Sequence, residues 1–334
     1  MRENRLYVVI PCYNEEEVLP QTVERLREKM QALIKEGLIA PDSRVVFVDD
    51  GSKDRTWQMI CALHREDPLF SGITLSLNRG HQNALLAGLM TVRNRCDCTI
   101  SMDADLQDDL DAMDEMLRHY QEGCEIVYGV RSKRQTDSFF KRFTAQSFYR
   151  MMRILGAGTI YNHADYRLMS RRALEALAQY REVNLFLRGI VPMIGYKTAQ
   201  VLYERHERAA GTSKYPLKKM VGLAFEGITS LSTKPIRMIT WLGVLLFAVS
   251  ILMGGYSLVQ HWLGNTIRGW TSTVLSIWAV GGLVLFSLGI VGEYIGKIYL
   301  ETKARPRYLV AEFLDDAGQD KGERDPAGTD GFLG

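Results

Sequence analysis

Short apolar runs alternate with amphipathic stretches through the first 235 residues, and two long uncharged runs follow. Leu6–Ile10 predicts a strand, Glu16–Glu36 a helix stopped at Gly37, and Val45–Asp49 a second strand. Asp54–Arg65 predicts a helix with an Asp start, Ile73–Leu77 a strand and Ala84–Arg93 another helix. Thr99–Met102 and Ile126–Val130 add two more strands. Strands alternating with helices predict an α/β fold with a largely parallel sheet covered on both faces. Ligands of such sheets bind beyond the carboxyl ends of the strands. The polar residues sit there: Pro11-Cys12-Tyr13-Asn14-Glu15, Asp49-Asp50-Gly51-Ser52 and Asp103-Ala104-Asp105.

The two uncharged runs are Met238–Gln260, 23 residues, and Gly269–Gly292, 24 residues. At about 1.5 Å of rise per residue, each is long enough for a hydrocarbon core of about 30 Å. The expected plan is a soluble domain over 1–215, a juxtamembrane amphipathic helix over 216–236 and a transmembrane hairpin over 237–300. The hairpin has spans at about 238–260 and 270–292, and a C-terminal segment over 301–314 and a disordered tail over 315–334 follow it. Lys214, Lys218, Lys219, Lys234 and Arg237 precede the first span, and Lys297, Lys303, Arg305 and Arg307 follow the second. The loop between them carries only Arg268 and His261, so the positive-inside rule predicts a multi-pass protein of the cytoplasmic membrane with both termini cytoplasmic. The five-residue apolar run near the amino terminus is too short for the core of a signal peptide.

Charge then narrows the function. Lys+Arg number 41 and Asp+Glu 39, a net +2 too balanced for a dedicated nucleic-acid binder. Five cysteines without a CxxC read as small buried hydrophobes. Neither G-x-G-x-x-G nor G-x-x-x-x-G-K-[ST] occurs, which removes the dinucleotide fingerprint and the P-loop. Asp103 and Asp105 are expected to end a strand, where positions i and i+2 share a face, with Gln107 extending the row. Hard oxygen ligands of this kind suit Mg²⁺ or Mn²⁺, completed by a substrate phosphate. Asp108, Asp109, Asp111 and Asp114 read as the start and solvated face of the next helix.

Val8–Glu15, Val48–Asp54 and Met102–Asp108 together resemble the GT-A family 2 glycosyltransferases. Gly129-Val130-Arg131 with Asp137-Ser138 and Lys141-Arg142, then Asp165–Met169, then Tyr203-Glu204-Arg205 with Arg208 and Ser213–Leu217, narrow this to the polyprenyl-phosphate branch. That branch includes bactoprenol glucosyltransferases and dolichol-phosphate mannose synthases, and the resemblance covers about residues 5 to 310. It implies a Rossmann-like GT-A domain followed by a two-helix hairpin. The implied activity is inverting, metal-dependent transfer of one hexose, best matched by glucose from UDP-glucose, to undecaprenyl phosphate.

The resemblance also implies residue roles. Pro11, Tyr13, Asn14, Glu15, Asp49, Asp50, Gly51, Asn78, Gly80, Asn83, Asp103 and Ala104 would line the nucleotide-sugar pocket, and Asp103, Asp105 and Gln107 would hold the metal. Arg131, Arg142, Arg205, Arg208, Ser213 and Lys214 would meet the acceptor phosphate, since guanidinium forks match phosphate oxygens. Asp165 and Arg167 join Asp103 and Asp105 as catalytic candidates, Asp165 either as a base or, as we expect, as an orienting group. A turn-forming pair before Gly51 is the plainer reading of Asp49 and Asp50. Phe139–Leu155 is apolar enough for core packing or for a helix lying on the bilayer.

Two positions depart from the family pattern. Leu77 stands before Asn78-Arg79-Gly80-His81 where the family usually has Arg, and Asp109-Leu110 follow the Leu-Gln-Asp segment where His or Pro is common. His81 is readable either as a phosphate contact or as a structural histidine. A processive polysaccharide synthase would need a Q-x-x-R-W motif and more spans, which this sequence lacks. The rival readings are a non-catalytic nucleotide-sugar-binding membrane scaffold, or the same transfer with a UDP-N-acetylhexosamine, a UDP-aminoarabinose derivative or GDP-mannose. A homo-oligomer and a separate flippase for the lipid-linked product are further expectations by family analogy.

Overall fold

The computed structural model describes residues 4–131, 163–183, 186–204 and 270–314, with 236, 239, 241–243, 245, 252, 259 and 263 described singly. The described residues form one mixed sheet of β1 (Leu6–Cys12), β2 (Arg44–Asp49), β3 (Phe70–Leu75), β4 (Cys98–Ser101), β5 (Ile126–Arg131), β6 (His163–Ser170), β7 (Thr198–Tyr203) and β8 (Val310–Leu314). Its order is β7-β5-β6-β4-β1-β2-β3-β8. β1 pairs in parallel with β2 and β4, β2 with β3, and β5 with β7, while β6 runs antiparallel to β4 and β5. This is the mostly parallel, Rossmann-like GT-A arrangement expected.

All seven residues of β1 are buried, as a strand covered on both faces requires. The two-residue period divides them. Leu6, Val8 and Ile10 join a core with Leu26 and Met30 of α1 (Leu19–Lys35), Ile60 of α2 (Thr56–Glu66) and Met116 of α4 (Ala112–Gln121). Tyr7 and Val9 join a second core with Leu85 and Leu89 of α3 (His81–Val92), Leu174 of α5 (Arg171–Leu177) and Ile190 of α6 (Leu187–Met193). A Cβ on Gly88 of α3 would come within 2.5 Å of Val9 and 2.6 Å of Val48, so only glycine lets this helix lie so close to the sheet.

The chain fills β1, β2 and β3 outward in one direction and then returns to place β4 on the other side of β1. A doubly wound sheet opens a crevice at that reversal, beyond the carboxyl ends of the strands. Both Pro11–Glu15 and Asp103–Asp105 lie at this point.

Several boundaries shift from expectation. Pro20, with no N–H to give, sits at the start of α1, which therefore opens at Leu19 rather than Glu16. β3 starts at Phe70, and its expected end, Leu77, is exposed. α3 opens at His81 directly after Gly80, whose φ is +85°. β4 ends at Ser101, and the chain turns through Ala104, Asp105 and Leu106 (φ +52°), so the two aspartates sit on a turn rather than on one face of extended chain.

After β7 in the chain, α7 (Trp270–Lys303) is 34 residues, about 51 Å, long. Its Val280–Lys303 stretch is long and apolar enough to cross a membrane, by length and composition. The expected first span, the juxtamembrane helix and the tail lie outside the described residues, apart from the single positions named above. After α7 the chain comes back to the sheet. The Glu301 carboxylate accepts from the Val183 amide at 2.8 Å, and Arg307 donates to the Tyr180 carbonyl at 2.6 Å. β8 then pairs antiparallel with β3, Gly72 opposite Leu314 and Leu75 opposite Val310. The sheet thus draws on residues far beyond 215.

Candidate functional site

Backbone-to-side-chain bonds knit the loops after β1 and β2 together. Asn14, in the left-handed region at φ +54°, donates its amide to Ser52 Oγ at 3.0 Å and accepts the Lys53 amide on Oδ1 at 2.9 Å. The Glu15 amide donates to Thr56 Oγ1 at 2.9 Å and the Glu16 amide to Asp54 Oδ2 at 3.2 Å. Asp49 accepts from the Ser52 amide and, at 2.9 Å, from Thr74 Oγ1. Asp50 accepts the amides of Arg79 and Gly80 at 2.7 and 2.8 Å. Both carboxylates are buried and engaged in shaping the loops. Asn83 Nδ2 donates to the Arg79 carbonyl at 2.8 Å and fastens the same loop. Pro11 and Ala104 are buried beneath; Tyr13, Asn78 and Gly80 stand exposed on the rim.

The turn after β4 carries the acidic cluster. Thr22 Oγ1 donates to the Ala104 carbonyl at 2.8 Å, and the Gln107 amide to Asp105 Oδ1 at 3.3 Å, which fixes the turn. Asp103 and Asp105 are half-buried; Gln107 and Asp108 are buried. Burial raises the Asp103 carboxyl, and the charges of Asp165 and Asp105 add to this against the opposing pull of His81. Burial and the Asp103 charge push Asp108 up to about 6. Asp108 Oδ1 accepts from Tyr203 Oη at 2.6 Å with the Arg131 guanidinium 3.9 Å away, while its buried Oδ2 has no hydrogen-bond partner. Arg131 Nε donates to Tyr203 Oη at 3.3 Å.

Hard oxygens gathered on one turn, with the buried Asp108 Oδ2 unpartnered, form a donor set that fits a divalent cation. Among the described residues no three His, Cys, Asp or Glu side chains are grouped to hold a metal by themselves. The fit therefore needs Gln107 or substrate oxygens as well.

Beside this turn, β6 presents Asp165. Ser101 Oγ donates to its carbonyl at 2.5 Å and locks β6 against β4. Its buried carboxylate accepts from Arg167 Nη2 at 2.5 Å and from Arg188 Nε and Nη2 at 3.3 and 3.1 Å. His81 Nε2 lies 3.6 Å from Asp165 Oδ2 and 3.5 Å from Asp103 Oδ1. Burial alone would raise Asp165, but His81, Arg167 and Arg188 hold its carboxyl well below the ordinary range. An acid so far below neutrality is a poor proton acceptor and a strong anchor for cations. Arg167 is itself 1 % exposed, with Nε and Nη1 unpartnered.

The structure therefore brings together Asp103, Asp105, Gln107, Arg131, Asp165 and Arg167 at one end of the sheet. Arg142, Arg205, Arg208, Ser213 and Lys214, and the Phe139–Leu155 stretch, lie outside the described residues. Arg188 was not among the expected site residues. Its signal was a single charge inside the apolar run 185–194, which a buried segment tolerates only with a partner.

Residues 7–178 match the model of glycosyl transferase family 2, and residues 234–298 match the GtrB C-terminal hairpin. An uncharacterized glycosyltransferase of Bacillus subtilis, YkoT, is 56 % identical over 305 residues, 91 % of this chain and 90 % of its own. The bactoprenol glucosyl transferase of Shigella phage SfX is 40 % identical over 308 residues, 92 % of this chain and 98 % of its own. Among solved structures, the mannosyltransferase PcManGT of Pyrobaculum calidifontis resembles it loosely, with a TM-score of 0.41 and 16 % identity over 88 % of each chain.

Proposed function

Because the chain belongs to glycosyl transferase family 2 and is a glycosyltransferase, we propose that it moves one hexose, glucose, from UDP-glucose onto undecaprenyl phosphate. The observation that carries this reading is the 40 % identity to a bactoprenol glucosyl transferase along 92 % of the chain. An alignment of that length spans the acidic turn, Asp165 and α7 alike.

A phosphate oxygen of the lipid attacks the anomeric carbon and the nucleotide diphosphate leaves in one displacement, with inversion. A phosphate monoester has a second pKa near about 6, so at neutral pH the nucleophile is already ionised. Asp165, locked between two guanidinium groups, accordingly orients Arg167 and Arg188 and takes no proton. Arg131 faces the acceptor phosphate, joined by Arg142, Arg205, Arg208, Ser213 and Lys214. Tyr13, Asn78 and Gly80 line the rim of the donor pocket, which Asp49 and Asp50 shape from beneath. Asp103, Asp105 and Gln107 would hold Mg²⁺ or Mn²⁺, and a bound ion supplies Lewis-acid neutralisation of the departing diphosphate. The excess of carboxylate over cationic charge on this turn supports such a site.

The family hairpin matched at residues 234–298 supports attachment to the membrane. By the positive-inside rule, the flanking lysines and arginines support a multi-pass protein with both termini cytoplasmic as part of this reading. The product is a lipid-linked sugar that a separate flippase carries across, and assembly as a homo-oligomer through the hairpin belongs to the same reading. The test incubates the detergent-purified protein with undecaprenyl phosphate, Mg²⁺ and a panel of radiolabelled nucleotide sugars. Organic-extractable label from UDP-glucose, lost with EDTA and in Asp105→Ala, is the expected result. Label from another donor renames the sugar, and silence across the panel in a nucleotide-binding preparation refutes transfer.

A further inference from the structure

His81 stands between the two acidic centres. It opens α3, and the loop that delivers it is fastened on both sides. Asp50 grips the amides of Arg79 and Gly80 just ahead of it, and Gln82 Oε1 just behind accepts the Leu187 amide of α6 at 3.0 Å. α6 also carries Arg188, the fork on Asp165. The backbone that carries the imidazole is therefore fastened by Asp50, just after β2, and through Gln82 by α6. Its Nε2 faces Asp103 Oδ1 at 3.5 Å and Asp165 Oδ2 at 3.6 Å. With 44 % of the side chain exposed, it fills no core.

We propose that His81 is a positioning residue for sugar transfer, its Nε2 being the shared group that holds the Asp165 carboxylate against the donor-side carboxylate Asp103. Two carboxylates facing one cleft repel, and an imidazole nitrogen within ion-pair reach of both sets their separation. Outer partners of this kind orient the groups that touch ligand. Through His81, the arrangement of Asp103 on the nucleotide side fixes the arrangement of Asp165 and Arg188 on the lipid side. The inference rests on reading the site as a sugar-transfer centre.

The test compares the full-length protein with His81→Leu, His81→Gln, Asp165→Asn and the His81→Leu/Asp165→Asn double variant. All are assayed with UDP-glucose and undecaprenyl phosphate, with UDP binding followed by calorimetry. His81→Leu should lower kcat by about 10–100-fold, the range seen for lost outer partners. The UDP-glucose KM and the UDP Kd should stay within about threefold, since ground-state binding is untouched. His81→Gln, whose amide can donate to both carboxylates, should recover most of the loss. The double variant should be within about threefold of the slower single one, because both substitutions break the same link. A native kcat in His81→Leu, a His81→Gln as slow as His81→Leu, or losses that multiply in the double variant would each overturn the inference alone. If the unaltered protein transfers no sugar, the functional reading falls and takes this inference with it.

Discussion

Gly51 lies so close to Asn78 that a Cβ added to it would sit 2.9 Å from the Asn78 amide nitrogen. Its φ of +67° is in the left-handed region as well, so steric and conformational reasons both demand glycine. Gly51→Ala should therefore destabilise by about 1–3 kcal/mol. It should also push the exposed Asn78 rim outward and raise the nucleotide-sugar KM. Thermal melting and steady-state kinetics on the one variant check both.

Asp50 should matter through the backbone it holds. Asp50→Ala leaves the Arg79 and Gly80 amides without their acceptor, at about 1 kcal/mol for each hydrogen bond lost. Hydrogen exchange should accelerate at residues 79–81 before it does elsewhere in the sheet. Unchanged exchange there would show that the loop does not depend on this carboxylate.

The salt-bridged Asp165 makes a signed prediction about acid. Its folded-state carboxyl lies well below its unfolded value of about 4, so its contribution is complete above that value and is lost as pH falls through the folded one. Asp165→Asn should cost about 3–5 kcal/mol at pH 7, as breaking a buried ion pair does. The gap from the unaltered protein should close as the medium is made more acid. Denaturant titrations at a neutral and a strongly acid pH give both figures.

Asp108 works in the opposite sense. Raised to about 6 in the folded state, it weakens the fold above that pH, and stability returns as pH falls from about 6 toward the unfolded value of about 4. In EDTA, the protein should be more stable at pH 5 than at pH 7.5. Asp108→Asn should remove about 1 kcal/mol of that difference. His81, also raised in the fold against burial by Asp165 and Asp103, contributes in the same direction and would remain. Saturating Mn²⁺ with UDP should flatten the Asp108 share, because a cation at the turn favours the ionised carboxylates.

The first five strands were legible because apolar runs such as Val45–Asp49 and Ile126–Val130 read as buried strands. β6 was not, because Asp165 and Arg167 interrupt its hydrophobic pattern. Asp165 is buried with Arg167, Arg188 and His81 around its carboxylate, and the last two come from α6 and α3, a tertiary pairing that no local window contains. The acidic turn was found by composition, yet its geometry was misjudged, since Leu106 adopts a positive φ that nothing in an Asp-Ala-Asp-Leu string announces. Asp49 and Asp50 showed the same gap: their position at a strand end was readable, but the backbone partners that occupy their oxygens come from residues 52 and 79–80. Arg188 came into view only when α6 was seen against β6.

β8 gives the molecule a fixed order of assembly. The strand that covers the β3 edge is made last, after the segment matched to the membrane hairpin has left the ribosome. Until then the nascent domain carries an uncovered edge, the kind of surface that recruits other strands. Completion of the sheet therefore waits on synthesis of the segment matched to the hairpin, and a chain that breaks off within that segment leaves the β3 edge unpaired.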